Sequence, residues 1–137
     1  MDALRDASLP RRIGWLASSA RRLLDESLQV SESLAEATGL SEPMVRWAAL
    51  TTLETVRPDS LAALAADAYR SGAEPISSLS VVLAGNLFTA TVRAVFVPLL
   101  LGIPVTVKAS SRETLFPRML RDALLHEDPE LGRAVER

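Results

Sequence analysis

The chain contains no cysteine and a single histidine among 137 residues. Disulfides, thiolate metal sites and thiol catalysis by this chain are thereby excluded. One imidazole cannot build a zinc site with neighbouring histidines. His126 stands beside Glu127 and Asp128 and reads as a solvated helix end. Aromatic residues are scarce, at 4%, so each is a candidate for the core. Lysine is scarcer still: Lys108 is the only one among fifteen basic residues, and the rest are arginine. Net charge is −2 with no basic run, which leaves no cationic face for nucleic acid. The opening "MDALRDASLPRR" lacks the apolar core of a signal peptide, so a cytoplasmic location is the expectation.

Charge is also nearly missing from one long stretch. From Leu79 to Val107 the only ionised side chain is Arg93, and the stretch is long enough to span a bilayer. Asn86, Thr89, Thr91, Pro98, Gly102 and Pro104 interrupt it. A central arginine would cost at least about 2.5 kcal/mol in a spanning helix. A buried strand–helix–strand accommodates the same residues without that cost, so no membrane span is expected.

What is present is a folded composition, 48% hydrophobic and 23% charged, with a length suited to one domain. Residues 1–75 read as a helical region. Ser8 caps a helix with Pro10 in its first turn, and Ile13, Leu16, Ala17, Ala20, Leu23, Leu24 and Leu28 follow at helical spacing. Ser31 or Ser33 starts a short helix that ends at Gly39. Ser41 caps the next, with Pro43 in its first turn. Pro58 starts another, which closes near Gly72. Trp15, Trp47 and Tyr69 fall on the apolar stripes and are expected in the core rather than as ligand platforms.

Beyond the loop "SGAEPISS" the texture changes. Leu79–Ala84 suits a buried parallel strand, 87–101 has helical length, Gly102 and Pro104 end that helix, and Val105-Thr106-Val107 is β-branched throughout. The segment 113–125 is helical again. Residues 76–137 therefore predict a right-handed βαβα unit with a parallel sheet, and the fold class is α/β.

In such a sheet ligands bind beyond the carboxyl ends of the strands. The first end is Gly85-Asn86 and the second is Lys108-Ala109-Ser110-Ser111-Arg112. Gly85 permits a sharp turn or a close approach by a ligand. Asn86 offers an uncharged amide donor, the type that a developing oxyanion needs. Lys108 offers a mobile ammonium suited to hydroxyls or phosphate. Ser110, Ser111 and Arg112 add donors and charge. Each residue also has a plainer reading: Asn86 as a turn residue or cap, Lys108 as a solvated strand end, and Ser110 or Ser111 as the cap of the next helix. The G-x-G-x-x-G fingerprint is absent.

"VVLAGN" together with "PLLLGIPVTVKASSRETLFPRML" resembles the first half of the cofactor domain of the aldehyde dehydrogenase superfamily. It is most similar to the acyl-CoA reductase branch, the fatty acyl-CoA reductases of bioluminescence operons, whose first strand also ends in Gly-Asn. "LFPRMLRDALLHEDPELGRAVE" and, more loosely, "TGLSEPMVRWAALTTLE" extend the likeness, which covers about residues 76–135. The resemblance implies a Rossmann-like sheet, here an incomplete one. It implies that Asn86 stabilises an oxyanion and that Lys108 bonds the adenosine ribose. Ser111 stands where many relatives carry an acid on the ribose 2′-hydroxyl. With Arg112 beside it, the implied cofactor is NADP (NADPH) rather than NAD. Ala109 replaces the proline of the family motif, and the tryptophan of ordinary aldehyde dehydrogenases is absent before Asn86.

The family's cysteine nucleophile and catalytic domain are not in this sequence. The resemblance therefore implies the N-terminal cofactor-domain portion of an NADPH-dependent acyl-CoA reductase. Its partners would be the remainder of the enzyme or a Cys-bearing chain, and an acyl-CoA substrate. The alternative is a non-catalytic remnant that acts as an interaction module. Its unfinished sheet edge would pair with another chain or with a second copy in a homo-oligomer.

Overall fold

A computed structural model describes residues 3–72, 76–83, 89–110 and 113–136. A single turn, α1 (Ala3–Asp6), precedes the long helix α2 (Leu9–Gln29). Ser8 starts α2 as read from the sequence: its hydroxyl accepts from the Arg11 amide at 3.3 Å, and Pro10 sits in the first turn where no amide hydrogen is needed. Ile13, Leu16, Ala17, Ala20 and Leu23 form the buried stripe of α2. Leu16 and Leu23 are wholly enclosed, and each contributes roughly 1.5–3 kcal/mol by leaving water.

Helix α3 (Ser31–Thr38) follows and ends at Gly39. Helix α4 (Glu42–Leu53) is capped by Ser41, whose hydroxyl accepts from the Met44 amide at 3.3 Å. Helix α5 (Pro58–Arg70) completes the N-terminal set. The sheet region then runs β1 (Leu79–Val82), α6 (Ala90–Leu100), β2 (Val105–Lys108), α7 (Leu115–Glu127), α8 (Pro129–Arg133) and β3 (Val135–Glu136). The expected parallel pairing of β1 with β2 is present, in the register Leu79 to Val105 through Val82 to Lys108. The apolar stretch 79–107 is thus strand, helix and strand, and no helix among the described residues is long and apolar enough to cross a membrane.

A third strand had no clear signal in the sequence. β3 pairs in parallel with the other side of β2, Val105 against Val135, and the Val105 amide donates to the Ala134 carbonyl at 2.7 Å. The sheet order is therefore β1-β2-β3. Helix α8 brings β3 into place by lying tightly on α7. A Cβ on Gly132 would fall 2.2 Å from Leu125 Cγ, a contact that leaves room only for glycine.

One apolar core joins both regions. Helix α2 packs against α7, α4, α6 and α5, so Leu16 and Leu23 share a cluster with Leu99, Phe116, Leu120 and Leu124. Two aromatic expectations fail. Trp47 is 62% exposed and Tyr69 is 54% exposed, whereas Trp15 is half-buried under the Arg11 guanidinium, 4.9 Å from the ring centre. The buried side of α4 is the narrow row Val45, Ala49 and Leu53. Trp47 lies two residues from Val45 and from Ala49, about 200° around the helix from each. β1 also departs from the expected buried strand, with Leu79 38% and Val82 79% exposed. It is the edge strand, and among the described residues no element pairs with its outer flank.

Candidate functional site at the strand ends

The strand register decides which sequence signals come together. Val82 and Lys108 are paired, and the Leu83 amide donates to the Lys108 carbonyl at 3.0 Å. The chain therefore leaves β1 and β2 at the same edge of the sheet, side by side. Gly85 and Asn86, just beyond Leu83, lie outside the described residues, as do Ser111 and Arg112.

Strand alternation sets the direction of Lys108. Val105 and Val107 are buried while Thr106 and Lys108 are exposed, so the lysine shares the solvent face with Thr106. Among the described residues no carboxylate forms an ion pair with it. An exposed, unpaired ammonium at a strand end remains available to an oxygen ligand.

Ser110, two residues beyond Lys108, is half-buried. It forms an isolated antiparallel bridge with Glu113, whose amide donates to the Ser110 carbonyl at 3.3 Å. Glu113 is the residue that the sequence reading misplaced. "SSRE" matches the pattern of a serine cap followed three residues later by an acid, which would put Glu113 inside the helix. Instead α7 begins at Leu115 with Thr114 as its cap residue. Glu113 stays outside the helix, only 3% exposed, and its Oε1 accepts from the Phe116 amide at 2.8 Å. The carboxylate thus satisfies a free helix-start amide and faces the positive end of the helix dipole. It ties Glu113, which is bridged to Ser110, to the start of α7.

The cavity beneath this edge is small. Thr91, Val95, Val107, Ala109 and Leu120 are among the residues enclosing about 20 Å³, room for a single water and not for a nucleoside. A nucleotide would therefore lie over the strand ends. The described residues fit one part of such a ligand, the hydroxyls or phosphate within reach of Lys108. No cluster of metal-ligating side chains occurs among them, and His126 is exposed near the far end of α7.

No family model matches the chain, and neither a curated protein nor a solved structure matches it.

Proposed function

We propose that this chain is the N-terminal cofactor-domain portion of an NADPH-dependent acyl-CoA reductase, an enzyme that converts an activated acyl group to an aldehyde. The observation that carries the reading is the shared exit of two parallel strands, with the lone lysine at the end of β2 directly beside the end of β1. The order β1-β2-β3 with parallel pairing supports it, because one half of a doubly wound sheet has three adjacent strands in this sequence order. In that architecture the second half adds beside the first strand, and the ligand lies in the crevice where it does so. Among the described residues the outer flank of β1 has no strand beside it, which supports placing the second half there.

Bound NADPH supplies the hydride. Lys108 would donate to the adenosine ribose, and Ser110, Ser111 and Arg112 would hold the 2′-phosphate. Gly85 lets the backbone approach the ligand, and the Asn86 amide donates to the oxyanion that develops on the acyl carbon. The nucleophilic thiolate comes from a further domain or a Cys-bearing partner in the cytoplasm. A second reading, a non-catalytic interaction module, is favoured by one observation: Val82 is 79% exposed on a strand whose outer flank has no partner among the described residues.

The test is a titration with NADPH and NADH, followed by fluorescence of the reduced nicotinamide, on the wild type and on Arg112→Ala. The proposal expects the variant to lose NADPH affinity selectively. Equal losses for both cofactors would remove Arg112 from the 2′-phosphate. No saturable binding of either cofactor by the wild type would leave the interaction-module reading.

A further inference from the structure

A larger cleft lies at the opposite end of the sheet, where the strands begin. It encloses about 710 Å³, within the range of sites for small organic ligands. Arg5, Arg12, Tyr69, Ser77, Leu101 and Ile103 contribute to its wall, and no acidic residue does among the described residues.

Arg12 is the unusual member. It carries a positive charge and is only 8% exposed, so the residue is more than nine-tenths buried. Its Nη2 donates to the Tyr69 hydroxyl at 3.1 Å, while its Nε is enclosed and has no hydrogen-bond partner among the described residues. Among the described residues it forms no ion pair. Buried charges are otherwise paired, because desolvation without compensation is costly. The C-terminal end of α6 lies nearby and offers partial negative charge. That end does not give Nε an acceptor, and it does not explain the second guanidinium. Arg5 lines the same cleft and donates to the Ser77 carbonyl at 3.3 Å.

The backbone is shaped around this arrangement. Gly102 has φ +78°, and a Cβ there would lie 2.5 Å from Arg12 Nη1. A side chain at position 102 would be strained and would displace the guanidinium. Leu101 and Ile103 on either side bring apolar surface to the same wall, and Ile76, 52% exposed, extends it.

We propose that this cleft binds a small amphipathic anion, with a carboxylate or phosphate head between Arg12 and Arg5 and an apolar body along Leu101, Ile103 and Ile76. The two guanidiniums and the Tyr69 hydroxyl present donors to the oxyanion, and the anion neutralises the buried charge of Arg12. The site is separate from the strand ends that carry Lys108 and does not depend on the NADPH reading.

The test is calorimetric titration of the full chain with hexanoate, hexyl phosphate, inorganic phosphate and 1-hexanol, with amide NMR shifts to locate the contact. Saturable binding of hexanoate or hexyl phosphate, with shifts at Tyr69, Ser77 and Gly102, is expected, and the tighter of the two identifies the head group. Arg5→Met, a change at an exposed residue, should weaken it about tenfold or more, as loss of a charge-assisted contact does. Arg12→Met should abolish it, and the exposed Arg118→Met should leave it unchanged. Equal binding of 1-hexanol would overturn the anionic head, and equal binding of inorganic phosphate would overturn the apolar body. No saturable binding, shifts elsewhere or an unaffected Arg5→Met would overturn the site.

Discussion

The backbone amide of Leu83 donates to the carbonyl of Lys108 at 3.0 Å, so the chain leaves its two longer strands from adjacent points of one sheet edge. Lys108 projects from that edge on the solvent face, without an ion-pair partner among the described residues. A side chain so placed contributes little to folding and is free to contribute to binding.

The first prediction separates those two roles. Lys108→Met should change stability by no more than about 0.5 kcal/mol, as other exposed substitutions do. The same change should weaken NADPH binding by about 1.5–3 kcal/mol, the worth of a hydrogen bond from a charged donor. Urea denaturation and cofactor titration on the same two proteins check it. A stability loss with unchanged binding would make Lys108 a structural residue.

Glu113 should behave in the opposite way. Its carboxylate is buried and accepts from the Phe116 amide at 2.8 Å. Glu113→Ala leaves that amide without its acceptor and opens a small void at the start of α7. The expected cost is about 1–3 kcal/mol. Glu113→Gln keeps an acceptor but loses the favourable charge at the helix start, and should cost about 0.3–1 kcal/mol. Denaturation midpoints at constant slope measure both. Equal costs for the two variants would mean that charge, and not hydrogen bonding, is what the site requires.

These residues also show how far the sequence could be read. Ser8, Ser41, Pro10 and Pro43 mark helix starts by local chemistry, and the helices begin where those residues indicate. The two apolar runs at Leu79 and Val105 predict strands, and the helix between them makes parallel pairing the economical solution. Non-local facts were harder. β3 is two residues long, and only its docking beside β2 makes it a strand. Trp47 resembles a core residue by type, and only the geometry of α4 shows that it faces outward. Glu113 sits in a pattern that matches a capping box, yet α7 starts later and the carboxylate caps from outside the helix. Arg12 borders the buried stripe of α2, and nothing local reveals that Tyr69 and Gly102 close over it.

The uncovered flank of β1 gives a prediction about association. Val82 is 79% exposed on an edge strand that has no partner on its outer side among the described residues. Val82→Lys should leave folding stability within about 0.5 kcal/mol of the wild type. It should weaken strand-edge pairing, because charged edge residues oppose sheet extension. Sedimentation over a concentration series checks this. The wild type should associate as its concentration rises, and the variant should need at least about tenfold more protein to reach the same degree of association. A wild type that stays monomeric throughout would remove self-pairing of this edge.

The last prediction is that residues 1–137 by themselves do not reduce acyl thioesters. Covalent acyl transfer needs a nucleophile with a base or a lowered pKa to activate it, and the chain has no thiol. Ser110 lies in the right loop, but its neighbour Glu113 is committed to the Phe116 amide. His126 is near the far end of α7, roughly 16 Å along the helix axis from Leu115 at 1.5 Å per residue. No side-chain motion brings that imidazole to the strand ends. Incubating the purified chain with NADPH and a series of acyl-CoA thioesters, while following absorbance of the reduced nicotinamide, should give a flat trace. Addition of a Cys-bearing catalytic partner should start oxidation, and Lys108→Met should then slow it at low cofactor concentration more than at saturation. Steady oxidation by the chain alone that persists through further purification would place the nucleophile within these residues and overturn the division of labour proposed for them.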